Sequence, residues 1–267
     1  MSVYHKEKPE YLEACLDSMI KQTLLPNEIV LIKDGPLTPE LDRIIEKFVV
    51  ESQNLFNIVV FKENIGLGKA LPIGVEHCKY DLIARMDTDD IARKDRFEIQ
   101  IREFRDDEQL DIVGSHILEF DKSIDNILAR RIVPLSHDEI VKFSKKRNPY
   151  NHMTVMYKKK SVIEAGNYRH VYGLGYEDYD LWVRMLMNGC KAKNIDDFLV
   201  HARTGVDMFK RRGNKERLKT ALYFRKKMYQ DGFTNFSEFM FSSVSNIVVS
   251  SMPSNLRAYV YKKFLRN

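Results

Sequence analysis

Cysteine is scarce in this chain. Cys15, Cys78 and Cys190 lie far apart, odd in number and without metal-ligand spacing, which argues against both a disulfide framework and a zinc centre. That usage fits a reducing cytoplasm. No apolar run approaches the roughly eighteen residues that a membrane-crossing helix needs, and no secretory leader pattern opens the sequence. The chain is therefore expected neither to enter a secretory route nor to span a bilayer by itself. Basic residues are not interleaved with any DNA- or RNA-reading motif, so no nucleic-acid partner is expected. The stretch Ser2 to Lys8 also lacks the glycine- and arginine-rich loop that would cradle a triphosphate.

What remains is ordinary for a folded protein. With 267 residues, 44% hydrophobic and 30% charged, the chain can bury one large α/β core and carry an appendage. Its net charge of +5 is unevenly placed. The basic excess follows residue 200, in Lys210-Arg211-Arg212, Lys215 to Lys219, Arg225-Lys226-Lys227 and the Lys262 to Arg266 end. Such a surface faces either water or an anionic bilayer.

Hydrophobic spacing orders the first ninety residues. Met1 to Tyr4 reads as a strand end. A helix follows from about Pro9 to Thr23, with Leu12, Cys15, Leu16, Met19 and Ile20 on one face. Glu28 to Lys33 is a strand closed by the turn Asp34-Gly35. Pro39 to Val50 is a second helix and Asn57 to Phe61 a third strand. The glycine-bearing loop Asn64 to Gly68 leads into a helix from Lys69 to Cys78, before a strand at Leu82 to Met86. This alternation predicts a mostly parallel central sheet with helices on both faces. Ligands in such sheets gather beyond the carboxyl ends of the strands.

Three acids sit at such an end, in Met86-Asp-Thr-Asp-Asp90. Two unit charges about 4 Å apart repel by roughly 4 kcal/mol at an effective dielectric near 20, so the cluster must be solvated, protonated or bridged by a cation. Asp87 and Asp89, two apart on extended backbone, share one side; Asp90 points elsewhere. Such oxygen ligands suit Mg²⁺ or Mn²⁺. The plainer reading is an acidic turn capping the next helix. Asp34 follows another strand and should reach the same rim, beside the loop Tyr4 to Glu7.

Farther on, Arg96 to Phe104 is expected as a helix, Asp111 to Phe120 as a long strand, and Ser136-His-Asp-Glu139 as a helix-opening capping box. Asn151 to Tyr157 is strand-like. A second acidic centre, Gly173 to Met187, runs from glycines through Glu177, Asp178 and Asp180 into a helix. Carboxylates are favoured at that helix start; one of them could serve as a general base across a cleft. Trp182 would either pack in the core or offer a platform to a sugar ring. Ala192 to Ile195 and Phe198 to Ala202 form a last strand or hairpin. From about Asp207 the chain turns helical, basic and aromatic, and its segment Phe239 to Met252 is apolar but too short to cross a bilayer.

In the order and spacing of Ser2-Val-Tyr4, Leu16 to Gln22, Glu28 to Gly35, Asn64 to Ala70, Met86 to Asp90 and Tyr176-Glu-Asp-Tyr-Asp-Leu-Trp182, the sequence resembles the family 2 glycosyltransferases of GT-A fold. Within them it resembles the amylovoran biosynthesis branch. The resemblance covers Met1 to about Arg212. It implies a GT-A domain over residues 1–205 and a helical basic extension over 206–267. It also implies inverting transfer from a nucleotide sugar, usually UDP-linked, to a saccharide or undecaprenyl-diphosphate-linked acceptor at the inner face of the cytoplasmic membrane. Val3, Tyr4, Glu7, Asp34, Lys69, Asp87 and Thr88 would bind the donor. Asp87, Asp89 and His201 would hold Mn²⁺ or Mg²⁺, and Asp178 would be the base. Glu177, Asp180 and Trp182 would line the acceptor side.

The match is imperfect. Relatives often carry more of the first strand, so Met1 is expected to be an internal or late start. Leu71 replaces a common arginine, leaving Lys69 for the phosphates. Gly205 occupies the expected position of the third metal ligand, leaving His201 shifted. Two rivals stand beside this reading: an inactive GT-A-like scaffold binding membrane or polyanion, and a sugar nucleotidyltransferase.

Overall fold

A computed structural model describes residues 1–52, 54–169, 175–204 and 215–252. The early alternation of periods two and 3.6 gives β1 (Ser2–Val3), α1 (Pro9–Ile20), β2 (Ile29–Lys33), α2 (Pro39–Glu51), β3 (Phe56–Val60) and α3 (Leu67–His77). Proline opens α1 and α2, where its missing N–H costs nothing, and Thr38 caps α2 by accepting from the Leu41 amide. The three strands pair in parallel in the order β1-β2-β3, with Ser2 opposite Ile32 and Ile29 opposite Phe56. Leu12 and Leu16 of α1, Leu41, Ile45 and Phe48 of α2, and Val3 and Leu31 of the sheet form one core cluster.

The second half departs from a parallel plan. Its elements are β4 (Leu82–Ala84), β5 (Ile91–Ala92), α4 (Arg96–Asp106), β6 (Leu110–Phe120), β7 (Ile127–Arg131), α5 (His137–Ser144), β8 (Met156–Lys158), α6 (Lys159–Glu164), α7 (Glu177–Met187) and β9 (Lys191–Arg203). They build a second sheet, β4-β8-β6-β9-β5 with β7 beside β6. Only β6 and β9 run parallel there; the β4–β8, β6–β8, β5–β9 and β6–β7 pairs are antiparallel. The expectation of a mostly parallel sheet thus holds for β1 to β3 and for the β6–β9 pair, whose connection through α5, α6 and α7 is long enough for a parallel crossover. The expected strand at Asn151 to Tyr157 begins instead as a 3₁₀ turn, His152–Thr154. The expected last hairpin is the single strand β9, bulged where Ile195 faces Ser115 and Phe198 faces His116.

Two helices follow, α8 (Lys215–Gln230) and α9 (Phe236–Ser251). Phe224 and Met228 of α8 bury against Tyr179 and Val183 of α7. The buried Arg225 guanidinium donates to the Lys145 and Lys146 carbonyls and to the Tyr179 hydroxyl. Among the described residues, no helix is long and apolar enough to cross a membrane.

Candidate functional site

The acidic run leaves β4 over a buried arginine. Arg85 is only 4% exposed, and its guanidinium grips the Asp87 carboxylate and the Met86 carbonyl. Burial would raise the Asp87 pKa, but the Arg85 charge brings it below the ordinary value. Beneath lies a second guanidinium, Arg96, fully buried and donating to the Arg85 carbonyl and to Gln100. Cys15 Sγ donates to the Asp87 carbonyl at 3.1 Å.

Asp89 has no such partner. Burial, and then the charges of Asp87 and Glu7, push its pKa up to about 6. Asp90 is buried; one oxygen accepts from the Arg203 amide at 2.7 Å and the other meets no partner. The cluster does not cap the next helix, since α4 begins after Asp95. A half-buried carboxylate with raised proton affinity, beside a second carboxylate already ionised, is a hard-oxygen donor set that fits Mg²⁺ or Mn²⁺, whose remaining ligands are typically waters and substrate phosphates. Among the described residues, no three His, Cys, Asp or Glu side chains converge on a metal position.

The rim is tied to this run. Thr88, buried, donates to Glu7 Oε2 at 2.6 Å, which fixes the Tyr4–Glu7 turn over the acids. Tyr4 is exposed, whereas the Val3 side chain is fully buried in the core, so only the Val3 backbone reaches the rim. Asp34 is buried, and its two oxygens accept the Ile65 and Gly66 amides at 2.8 and 3.1 Å. It therefore shapes the glycine-bearing loop, a role that its place after a strand did not suggest. Gly35 has φ +86°, and a Cβ there would lie 2.6 Å from the Asn64 amide nitrogen, so this close approach requires glycine. Lys69 is exposed in the first turn of α3, and Leu71 is core.

The second acidic centre separates into three roles. Asp178, in the first turn of α7, accepts from Asn148 Nδ2 at 2.6 Å. The Tyr150 amide donates to Asn148 Oδ1, which fixes the orientation of that amide. Burial, then the neighbouring Glu177, pushes Asp178 up to about 6, a value suited to a general base near neutrality. Asp180 does not face an acceptor. It is 3% exposed and takes Arg169 on both oxygens and Arg184 on one, at 2.7–2.8 Å. Trp182 is not a sugar platform either: it is 1% exposed, ringed by Tyr150, His152, Tyr157 and Tyr168.

Between the two centres stand His152 and Tyr168, hydrogen-bonded at 3.0 Å. Tyr168 feels the Asp178 charge and His152 that of Asp87. Burial, then Arg85, holds His152 down at about 3, so it is neutral and no base at physiological pH. His201 lies in β9 opposite Ile91 with its ring edge against Phe120, and its Nδ1 is buried without a partner. It is not grouped with Asp87 and Asp89. Gly205 and residues 170–174 lie outside the described residues.

Sequence reasoning missed Arg203. Its guanidinium donates to the Asp89 and Asp121 carbonyls and lies 3.8 Å from the Tyr11 ring centroid and 4.4 Å from that of Phe120. No local signal marks it, because its partners are brought near only by the tertiary fold, Phe120 and Asp121 through the β6–β9 pairing and Asp89 through the β5–β9 pairing. A cavity of about 430 Å³ lies not on this rim but between β2 and β4, lined by Met1, Ile29, Val30, Leu82, Ile83 and others.

Comparison with known proteins agrees with this geometry. The chain is 39% identical over 269 residues to the amylovoran biosynthesis glycosyltransferase AmsE of Erwinia amylovora, spanning 98% of this chain and 97% of that protein. It is 34% identical over 268 residues to the UDP-Gal:α-D-GlcNAc-diphosphoundecaprenol β-1,3-galactosyltransferase of Escherichia coli, covering 100% and 95%. The mannosyltransferase PcManGT of Pyrobaculum calidifontis, solved with GDP-Man and Mn²⁺, superposes with a TM-score of 0.67 at 14% identity over 98% of this chain and 80% of that one. The fold is accordingly of the GT-A type. Residues 1–166 match the description of glycosyl transferase family 2, and with relatives this similar over almost its whole length the chain belongs to that family.

Proposed function

We propose that this glycosyltransferase inverts the anomeric centre of a UDP-linked hexose as it moves the sugar to a hydroxyl of a saccharide or undecaprenyl-diphosphate-linked acceptor, in cell-surface polysaccharide synthesis at the cytoplasmic membrane face. Asp34 and the 64–66 loop that it holds take the base, with Tyr4, Glu7 and Thr88 beside the ribose. Asp87 and Asp89 face the diphosphate with Lys69 near it. Bound there, Mn²⁺ or Mg²⁺ would neutralise the leaving diphosphate. Asp178 takes the acceptor hydroxyl proton as that oxygen bonds to the anomeric carbon; the carbon–phosphate-oxygen bond breaks and the nucleoside diphosphate leaves with its electrons.

One observation carries the reading. The Asp178 carboxylate is half-buried, with one oxygen anchored by Asn148 and its proton affinity near neutrality, across Tyr168 and His152 from the acidic run. Asp178→Asn should keep UDP binding, followed by titration calorimetry, and lose turnover by roughly a hundredfold or more. Unchanged turnover removes Asp178 from the mechanism.

A further inference from the structure

Helix α9 is built inside out. Its buried residues are Ser242 and Ser243, at 4% and 8% exposure, while Phe236, Met240, Phe241, Val244, Ile247 and Val248 stand in solvent at 43–61%. These exposed residues fall at three-to-four-residue spacing and so form one stripe, about 18 Å long over the twelve helical steps from Phe236 to Val248. No charged residue follows Glu238 in the helix. A water-facing surface would show the opposite arrangement, and contiguous apolar patches of this kind mark interaction sites.

Charge identifies the occupant. Lys146 places its ammonium 5.5 Å from the Phe241 ring centroid, at the edge of the stripe, and Lys142, Lys215, Lys219 and Lys226 are exposed on α5 and α8. An apolar stripe with a cation at its edge and further exposed lysines on the neighbouring helices suits an anionic bilayer, where the rings enter the acyl boundary and the lysines meet headgroup phosphates. The capping box of Asn235 and Glu238, with the Glu238–Lys145 ion pair, anchors the start of α9 to the body. Through Phe224 and Met228 of α8, that body is continuous with α7 and its Asp178.

From these observations we infer that the exposed face of α9 lies on the surface of an anionic membrane, and that this seats the base-bearing helix where a lipid-linked acceptor arrives. The acceptor part rests on the transfer reading above. The contact itself does not.

The test is sedimentation of the full chain with vesicles of phosphatidylglycerol and phosphatidylcholine, against vesicles of phosphatidylcholine alone, together with the variant Phe241→Asp/Val248→Asp. Wild type should pellet with the anionic vesicles and far less with the neutral ones. The paired variant should partition at least about tenfold less, since two side chains that would enter the acyl boundary become carboxylates that anionic headgroups repel. Because both positions are exposed, its melting temperature and its turnover of a soluble acceptor analogue should stay at wild-type values; a wild type inactive on that analogue would count against the transfer reading alone. Wild type remaining in the supernatant, or the variant pelleting equally, would overturn the membrane contact. So would a wild-type dimer in light scattering that the variant converts to monomer without any vesicle binding, which would assign the face to a second copy.

Discussion

Asp180 offers the sharpest separation of folding from chemistry. Its carboxylate, 3% exposed, accepts Nε of Arg169 and of Arg184 on one oxygen and a second Arg169 nitrogen on the other. Arg184 also donates to the Ala165 and Asn167 carbonyls, so α7 is tied to the turn after α6. Asp180→Asn removes the charge and turns a donor toward two guanidinium groups. Removing one partner of a buried ion pair costs about 3–5 kcal/mol. The half-solvated Arg169 contributes least of that, so the lower part of the range applies. At about 2 °C per kcal/mol for a chain of this size, calorimetry should show the melting temperature falling by about 6–8 °C. Turnover by the folded protein at low temperature should change less than about threefold. A melting shift below about 2 °C with a hundredfold loss of turnover would return Asp180 to the acceptor side.

Other perturbations read other parts. The rate should climb with pH to a plateau above about 6 as Asp178 loses its proton. Because its folded pKa lies above the unfolded one, its charge costs stability, a penalty absent below about pH 4 and complete above about 6; Asp178→Asn should therefore melt higher than wild type at pH 7.5 and equally at pH 4, and equal melting at both would deny the burial. Asp89→Ala should abolish Mn²⁺-supported UDP binding in a thermal-shift assay, and binding that survives would reassign the cation. Gly35→Ala must push the Asn64 backbone away in a left-handed conformation, and calorimetry should show donor affinity falling at least tenfold; unchanged affinity would free the 64–66 loop from the base. Arg225→Met should strip two carbonyls and a hydroxyl of their donor and cost about 2–4 kcal/mol in urea unfolding; a loss below about 0.5 kcal/mol would mean that α8 docks through Phe224 and Met228 alone.

The legible part of the molecule was its local part. Apolar spacing fixes α1 and α2, a proline or a capping box marks the start of α1, α2 and α5, and the acids after β4 announce themselves as a cluster. What stayed hidden depends on residues far apart in the chain. Nothing near Asp34 says that its oxygens will be taken by amides thirty residues away. Asp180 and Asp178 look alike in sequence, and only the packing of Arg169 and Arg184 separates a structural acid from a candidate base. The antiparallel entry of β8 is equally silent, because short strands carry no mark of their direction.

The chain's first nitrogen has a consequence for handling the protein. The Met1 backbone nitrogen donates to the Val30 carbonyl beside the cavity between β2 and β4. A purification handle joined ahead of it would keep an N–H for Val30 but would have to thread the gap between two strands.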